Sequence, residues 1–160
     1  MSLQIQNYDI RLLRQRIKVM LPSIHSFELT KNALIFPFLQ LLGLNAQKVK
    51  TNKHWTDEGM MIEKCERYIV FQGDNPMVLM ECVHHQLPIM EFSNSFIRWT
   101  RTTQAKYALL TNGIDYKFYY LNGFTTKGRA AVCEFKVTKT PAVVIHAMLD
   151  QYLNSSKGKN

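Results

Sequence analysis

The chain has 160 residues, of which 46% are hydrophobic, and this is enough to bury the core of one compact domain. No uncharged apolar run reaches the roughly 20 residues that a membrane-spanning helix needs, so no membrane partner is expected. Twenty Lys and Arg residues against twelve Asp and Glu residues give a formal net charge of +8. This charge favours anionic partners such as nucleic acid, although many small proteins are basic without binding any.

The cysteines and the N-terminal segment indicate where the protein resides. Cys65, Cys82 and Cys133 are odd in number, widely spaced and set in apolar runs, without the spacing of a zinc site. We therefore expect buried thiols without disulfides. The N-terminus lacks the layout of a signal peptide, because its basic residues fall inside the first apolar periodicity. The expected location is the cytoplasm.

The first predicted element is an amphipathic helix. Apolar residues recur at helical spacing from Tyr8 to Leu21, while Arg11, Arg14 and Lys18 share another face. This basic face could lie along phosphates, although the solvated face of an ordinary helix is the simpler interpretation.

The second predicted helix is apolar nearly all round and is therefore expected to be buried. Ser26 is a suitable N-cap and Gly43 a suitable C-cap. Pro37 lies inside this helix and should kink it, because proline lacks an N–H and clashes with the preceding turn.

Three strands are predicted next. Residues 48–55 and 63–71 read as strands around a loop at 56–59. The run from Pro76 to Val83 is short, apolar and preceded by a turn signal, which is typical of a strand buried on both faces. Because a short turn joins the second and third strands, they should be antiparallel neighbours.

Glu81 stands near the end of that apolar strand. An ionised carboxylate in a buried strand is costly unless something pairs with it. Glu81 is therefore paired with a cation, bound to a metal, placed at the open end of the strand, or neutral. Glu66 lies on the neighbouring predicted strand, so the two carboxylates can approach each other across the pair.

The rest of the chain continues the alternation of helices and strands. Asn112-Gly113 strongly favours a hairpin turn. The alternating aromatics Tyr116, Phe118 and Tyr120 could stack nucleobases, although a sheet face packed under a helix is the commoner arrangement. We predict an α/β domain with a mixed central β-sheet flanked by helices. Its remaining elements are a helix at 89–102, strands at 106–110, 115–121 and 130–137, and a helix at 141–153.

The two glutamates raise the question of metal chemistry. Phosphodiester cleavage with Mg²⁺ needs two or more carboxylates to hold the metal, and it benefits from a nearby cation. An acid followed two residues later by lysine on a strand points both side chains to the same side. Here Val83 follows Glu81 at that spacing, so the cation is missing. A second, weaker signal is Cys82-x-His84-His85, but adjacent residues on a strand point to opposite faces, which disfavours a transition-metal site.

Three blocks of sequence resemble a known family. They are Glu28–Gly43 (ELTKNALIFPFLQLLG), Val78–Cys82 (VLMEC) and Ala105–Tyr119 (AKYALLTNGIDYKFY). The blocks resemble the N-terminal nuclease-type domain of type I restriction enzyme R subunits, and more closely its small stand-alone relatives, within the PD-(D/E)XK restriction-endonuclease-like fold. The resemblance covers about residues 26–137. It implies a mixed sheet flanked by helices, Mg²⁺ as cofactor in active members, and duplex DNA as substrate.

On this resemblance the chain divides into an N-terminal helix at 1–25, a restriction-endonuclease-like domain at 26–154 and a polar tail at 155–160. Together these form a single globular unit. A protein partner in a restriction system is the other expected kind of partner, beside DNA.

The resemblance also implies roles for individual residues. Glu28 matches the helix glutamate that can join the metal site, and Glu66 lies where the family usually has Asp. Glu81 matches the acid of a Glu-Cys-Lys triplet whose lysine is replaced by Val83. In an active protein Glu66 and Glu81 would hold the metal. The alternative is that both are residual buried polar groups, hydrogen-bonded to Lys or Tyr and without a catalytic role.

Departures from the family pattern suggest a domain that kept its fold and lost cleavage. Besides Val83, the downstream Gln-x-x-x-Tyr pattern falls on Ser95 and Trp99, so both of its members are changed. We therefore expect a non-cleaving protein without a cofactor that binds DNA or a protein. One alternative is an active Mg²⁺-dependent endonuclease with a relocated cation, and another is an interaction module without a nucleic-acid role. The residues expected to contact DNA are Lys64, Arg67, Arg98, Arg101 and Lys106, and all of these except Arg101 are also candidates for the relocated cation.

Overall fold

The structure is a computed structural model that describes residues 7–55, 61–89, 94–121 and 131–151. Its helices are α1 (Asn7–Met20), α2 (Phe27–Thr30), α3 (Phe36–Leu41), α4 (Asn94–Thr100) and α5 (Ala142–Leu149), with a 3-10 turn at Leu21–Ser23 and a π-helical turn at Lys31–Ile35. Its strands are β1 (Asn45–Trp55), β2 (Met61–Gln72), β3 (Asn75–Cys82), β4 (Tyr107–Thr111), β5 (Asp115–Tyr120) and β6 (Cys133–Lys136). The predicted loop at 56–59 and the polar tail lie outside the described residues.

The strands form one six-stranded sheet in the order β1-β2-β3-β4-β5-β6. β3 and β4 run parallel, with α4 in the crossover between them, and the other neighbouring pairs are antiparallel. A parallel pair needs a crossover of this kind, whereas antiparallel pairs need only a turn. The predicted α/β class with a mixed sheet and flanking helices is therefore confirmed at this level.

The two faces of the sheet are covered unequally. The large-core face packs against α1, α2, the π turn, α3 and α5, and on β2 and β3 it carries Tyr68, Met80 and Cys82. The opposite face, here called the α4 face, packs its smaller cluster against Phe96 and carries Leu79. Because side chains alternate along a strand, each strand residue is assigned to one face by its position. Within the described part of the chain, no helix has both the length and the hydrophobicity that a membrane span requires.

The second helix differs from its prediction near Pro37. Ser26 caps the start as predicted, since its hydroxyl accepts a hydrogen bond from the Leu29 N–H at 3.1 Å. The helix then widens into the π turn, where Phe36 N–H donates to Lys31 O, and Pro37 occupies the first turn of α3. An added residue in the turn before a proline relieves the clash that proline makes with an ordinary helix. The distortion of this helix is therefore a π turn that lies before the proline.

Burial settles two other expectations. The three cysteines are buried free thiols, as predicted. Tyr116 and Phe118 are 0% and 1% exposed and pack in the large core, so they are not available to stack nucleobases. The commoner reading of the alternating aromatics, a sheet face under helices, is confirmed for these two residues.

Among the described glycines, Gly113 leaves the least room for a side chain. Its φ is +86°, and a Cβ there would lie 2.7 Å from Leu34 Cβ in the π turn. We expect Gly113→Ala to lower the free energy of unfolding by about 2–4 kcal/mol, because it adds left-handed backbone strain and overpacks the core. Urea unfolding measures this. Gly43→Ala is the control, since its φ is +69° with no atom within 4 Å of the added Cβ. Equal losses in the two variants would contradict the clash.

Candidate functional site

Glu66 and Glu81 lie on opposite faces of the sheet. In the β2–β3 register, Glu66 faces Cys82 and Arg67 faces Glu81. Residues directly opposite each other in an antiparallel pair point to the same side, so Glu66 belongs to the large-core face and Glu81 to the α4 face. The expectation that the two carboxylates approach each other across the pair is therefore wrong, because their positions differ by one residue in register.

Glu66 is a buried carboxylate surrounded by donors. Lys31 Nζ donates to Oε2 at 2.7 Å, the Tyr68 hydroxyl donates to the same oxygen, and Lys48 Nζ donates to Oε1 at 3.3 Å. The side chains of Glu66 and Lys31 are 1% and 3% exposed. Burial alone raises the pKa of Glu66, but the bonds from Lys31 and Tyr68 outweigh it and lower the pKa below its ordinary value. Glu66 is therefore ionised, and lysines of the same chain neutralise its charge.

Glu28 is joined to Glu66 through the ammonium group of Lys31. Lys31 Nζ lies 2.7 Å from Glu28 Oε2 and 2.7 Å from Glu66 Oε2. Burial lowers the pKa of Lys31, but its bonds to Glu28 and Glu66 prevail and raise it above the ordinary value. The helix glutamate assigned by resemblance to a metal site therefore faces a lysine of its own helix. A charged lysine stands between the two carboxylates.

Arg67 and Glu81 form a second neutralised pair on the α4 face. Arg67 Nε donates to Glu81 Oε2 at 2.8 Å, and the side chains are 6% and 14% exposed. The guanidinium carbon lies 5.5 Å from the Phe96 ring centroid and 5.9 Å from that of Trp99, which is cation–π geometry. Of the four possible states of Glu81, pairing with a cation is the one found. Arg67 is 5% exposed and already paired, which disfavours the predicted contact with DNA.

Val83 follows the end of β3, and its N–H donates to Thr111 O at 3.1 Å. A cavity of about 30 Å³ beside it is lined by Glu81, Val83, Ile89, Leu110 and Thr111. This is room for about one water molecule. No lysine lines this cavity, so the cation missing from the motif is not supplied there by another described lysine.

Mg²⁺ does not fit the residues that the resemblance assigned to it. Glu66 and Glu81 point away from each other, and each is already held by a cation of the chain. Among the described residues there is no group of three or more His, Cys, Asp or Glu side chains that could hold a metal ion.

The strand alternation expected for His84 and His85 does not apply to them. β3 ends at Cys82, so strand alternation does not separate His84 and His85, and their ring centroids lie 4.6 Å apart. Burial lowers the pKa of both imidazoles. His84 Nδ1 accepts a hydrogen bond from Gln86 N–H, while the buried His85 Nε2 has no partner among the described residues. Cys82 Sγ donates to Glu66 O, so the thiol does not complete a site with them.

Three of the predicted DNA contacts are exposed. Arg98 lies in the last turn of α4, Arg101 follows it in the next turn of chain, and Lys106 directly precedes β4. Cations at the C-terminal end of a helix also suit its dipole. Lys64 and Ser95 lie in β2 and α4, but their side chains are outside the described part of the structure.

The sequence indicates Lys, Tyr or another cation as the kind of partner for these glutamates, but it does not identify the individual residues. Lys31 and Lys48 were not assigned to Glu66, although Lys31 follows Glu28 at helical spacing. Tyr68 stands two positions after Glu66 and therefore shares its face, which is a signal present in the sequence. No sequence signal pairs Arg67 with Glu81, because that contact depends on strand register.

No protein-family model, no curated protein and no solved structure matches this chain.

Proposed function

We propose that this chain is a nuclease-fold domain, related to the N-terminal domain of type I restriction enzyme R subunits, that binds duplex DNA without cleaving it. The proposal rests on the sequence blocks described above, and the mixed sheet with flanking helices agrees with it at a coarse level. The observation that carries it is the Arg67–Glu81 pair, because it occupies the place where the motif acid would need a metal.

The position directly opposite Glu81 on β2 is the nearest one from which a second acid could join Glu81 in holding a metal. The chain has Arg67 at that position, with its guanidinium 2.8 Å from the carboxylate. A divalent cation would have to displace a buried guanidinium and leave it without a partner, which is strongly unfavourable. The replacement of the motif lysine by Val83 also disfavours cleavage at this site. Arg67 as a relocated catalytic cation is disfavoured as well, because it is already committed to the motif acid.

Binding to DNA is supported by the distribution of charge. Arg98, Arg101 and Lys106, here called the α4 basic group, are exposed, and none of them forms an ion pair with an acid in the described part of the chain. Such residues attract the phosphate backbone and release its counterions. This predicts binding with little sequence preference.

The test combines cleavage and binding. We expect no nicking of supercoiled plasmid in Mg²⁺ or Mn²⁺, and binding of a duplex measured by fluorescence anisotropy that weakens steeply as salt rises. Replacing Arg98, Arg101 and Lys106 by Gln removes up to three phosphate contacts, so the slope of log K against log salt should become shallower by about 2–3.

Two results would overturn the proposal in different ways. Nicking by the parent protein that Glu81→Gln abolishes would make the protein an active endonuclease, and Glu81→Gln therefore accompanies every cleavage assay. Failure to bind duplex even at low salt would leave the net charge as a solubility feature. The protein would then be a module for a protein partner.

A further inference from the structure

In the described structure, cations without an acidic partner occur on both faces of the sheet. The ion pairs of the described residues use Lys31, Lys48, Arg67, Lys117 and Lys136. The α4 basic group remains on one face of the sheet. A second set lies on one side of α1 and on the turn beside it, namely Arg11, Arg14, Lys18 and Lys139, which we call the α1 basic stripe. Arg16 is exposed on another side of α1 and is not part of this stripe.

The α1 basic stripe is held on a rigid support. Ile10, Leu13 and Ile17 are at most 5% exposed and fix the rotation of α1 against the large core. Arg11 and Lys18 are exposed on another face, and seven residues of helix separate them by about 10.5 Å. This is about three base-pair steps of duplex DNA at roughly 3.4 Å each.

Arg14 joins the neighbouring turn to this stripe. Its Nε donates to Val137 O at 2.9 Å, and its terminal nitrogen donates to Thr140 O. These bonds hold the turn between β6 and α5 against α1, so Lys139, which is exposed, lies beside the helix. Arg14 therefore fixes the turn against α1, while Arg11, Lys18 and Lys139 face solvent.

The two basic surfaces lie on opposite faces of the sheet. α1 packs in the large core, and α4 packs on the other face through Phe96. Packed layers of helix and sheet are each about 10 Å thick, so two duplexes bound on opposite sides are separated by more than the Debye length of about 8–10 Å. Their mutual repulsion is therefore largely screened. One straight duplex cannot contact both surfaces.

We propose that the α1 basic stripe is a second surface for the DNA phosphate backbone, so that one protein molecule holds two duplex segments at once. The inference rests on the proposed DNA binding and adds a site on the other face of the domain. The proposed ligand is duplex DNA, because the exposed positive charges are spaced along a straight, fixed helix and would face a linear array of phosphates.

The experiment measures stoichiometry with a duplex of roughly 20 base pairs, about two helical turns. Native mass spectrometry counts protein and DNA in each complex and so separates two duplexes on one protein from a protein dimer. Two triple variants are matched in charge, since each lowers the formal net charge from +8 to +5. One is Arg11→Gln with Lys18→Gln and Lys139→Gln, and the other is Arg98→Gln with Arg101→Gln and Lys106→Gln.

The parent protein is expected to bind two duplexes per molecule, and each triple variant one. A parent complex with one duplex at saturation, or two duplexes retained by the α1 variant, would overturn the second surface while leaving DNA binding intact. A parent protein that binds no duplex at low salt would instead overturn the proposed function itself. Arg16→Gln, on the edge of α1 facing α3, is the same-helix control and should leave two duplexes bound.

Discussion

Glu66→Gln should lower the free energy of unfolding by about 2–4 kcal/mol, because it disrupts a buried, charge-assisted network. Both carboxylate oxygens of Glu66 accept hydrogen bonds, from Lys31 and Tyr68 on one and from Lys48 on the other. An amide has one acceptor oxygen and one donor nitrogen, so Gln turns a donor toward one of these cations. Urea unfolding at neutral pH measures the loss.

Glu28→Gln is the matched control for this substitution. Glu28 and Glu66 lie at the same 2.7 Å from Lys31 Nζ, but their side chains are 67% and 1% exposed. Water screens the exposed pair, so Glu28→Gln should cost less than about 1 kcal/mol. Equal losses would mean that the burial of Glu66 does not determine its contribution, and the account of this network would be wrong.

The network also predicts how stability depends on pH. Because the folded pKa of Glu66 is lowered, its contribution is fully present above its unfolded pKa, about 4.3, and is lost as pH falls through the folded value. Gln does not titrate. The difference in unfolding free energy between the parent protein and Glu66→Gln should therefore be constant near neutral pH and shrink below about pH 4.

Arg67→Met should lower the free energy of unfolding by about 2–3 kcal/mol. It leaves Glu81 in the sheet without its cation and removes the guanidinium from the rings of Phe96 and Trp99. The expected loss lies at or below the low end of the range for broken buried pairs, about 3–5 kcal/mol, because Glu81 keeps 14% exposure. In a Trp55→Phe background, the emission of Trp99 should shift to longer wavelength as α4 loosens from the sheet.

The double variant Arg67→Met with Glu81→Met tests whether the loss comes from the broken pair. Replacing both members of a buried ion pair by apolar residues is often neutral, so we expect recovery to within about 1 kcal/mol of the parent protein. A double variant as unstable as the sum of the two single ones would show no interaction between them. The argument that Arg67 stands in place of a metal would then lose its support.

How far the sequence predicts this protein is clearest in its second helix and third strand. The N-cap at Ser26, the left-handed Gly43 and the buried run of β3 follow from local chemistry, and the structure has all three. Local chemistry does not place the π turn, because the choice between a kink and a widened turn depends on what the helix packs against. The same holds for His84 and His85, whose contact depends on where β3 ends.

The candidate site also combines features that follow from local chemistry with features that depend on tertiary packing. Composition, periodicity and turn signals are local properties, so the class of fold, the buried cysteines and the costly position of Glu81 can be derived from the amino acids alone. The partners of the two glutamates cannot be derived in that way. A shift of one residue between β2 and β3 exchanges the faces of every side chain, and this register separates Glu66 from Glu81 and brings Arg67 to Glu81. The packing of strands and helices around one core selects that register, and no segment of the chain contains it by itself.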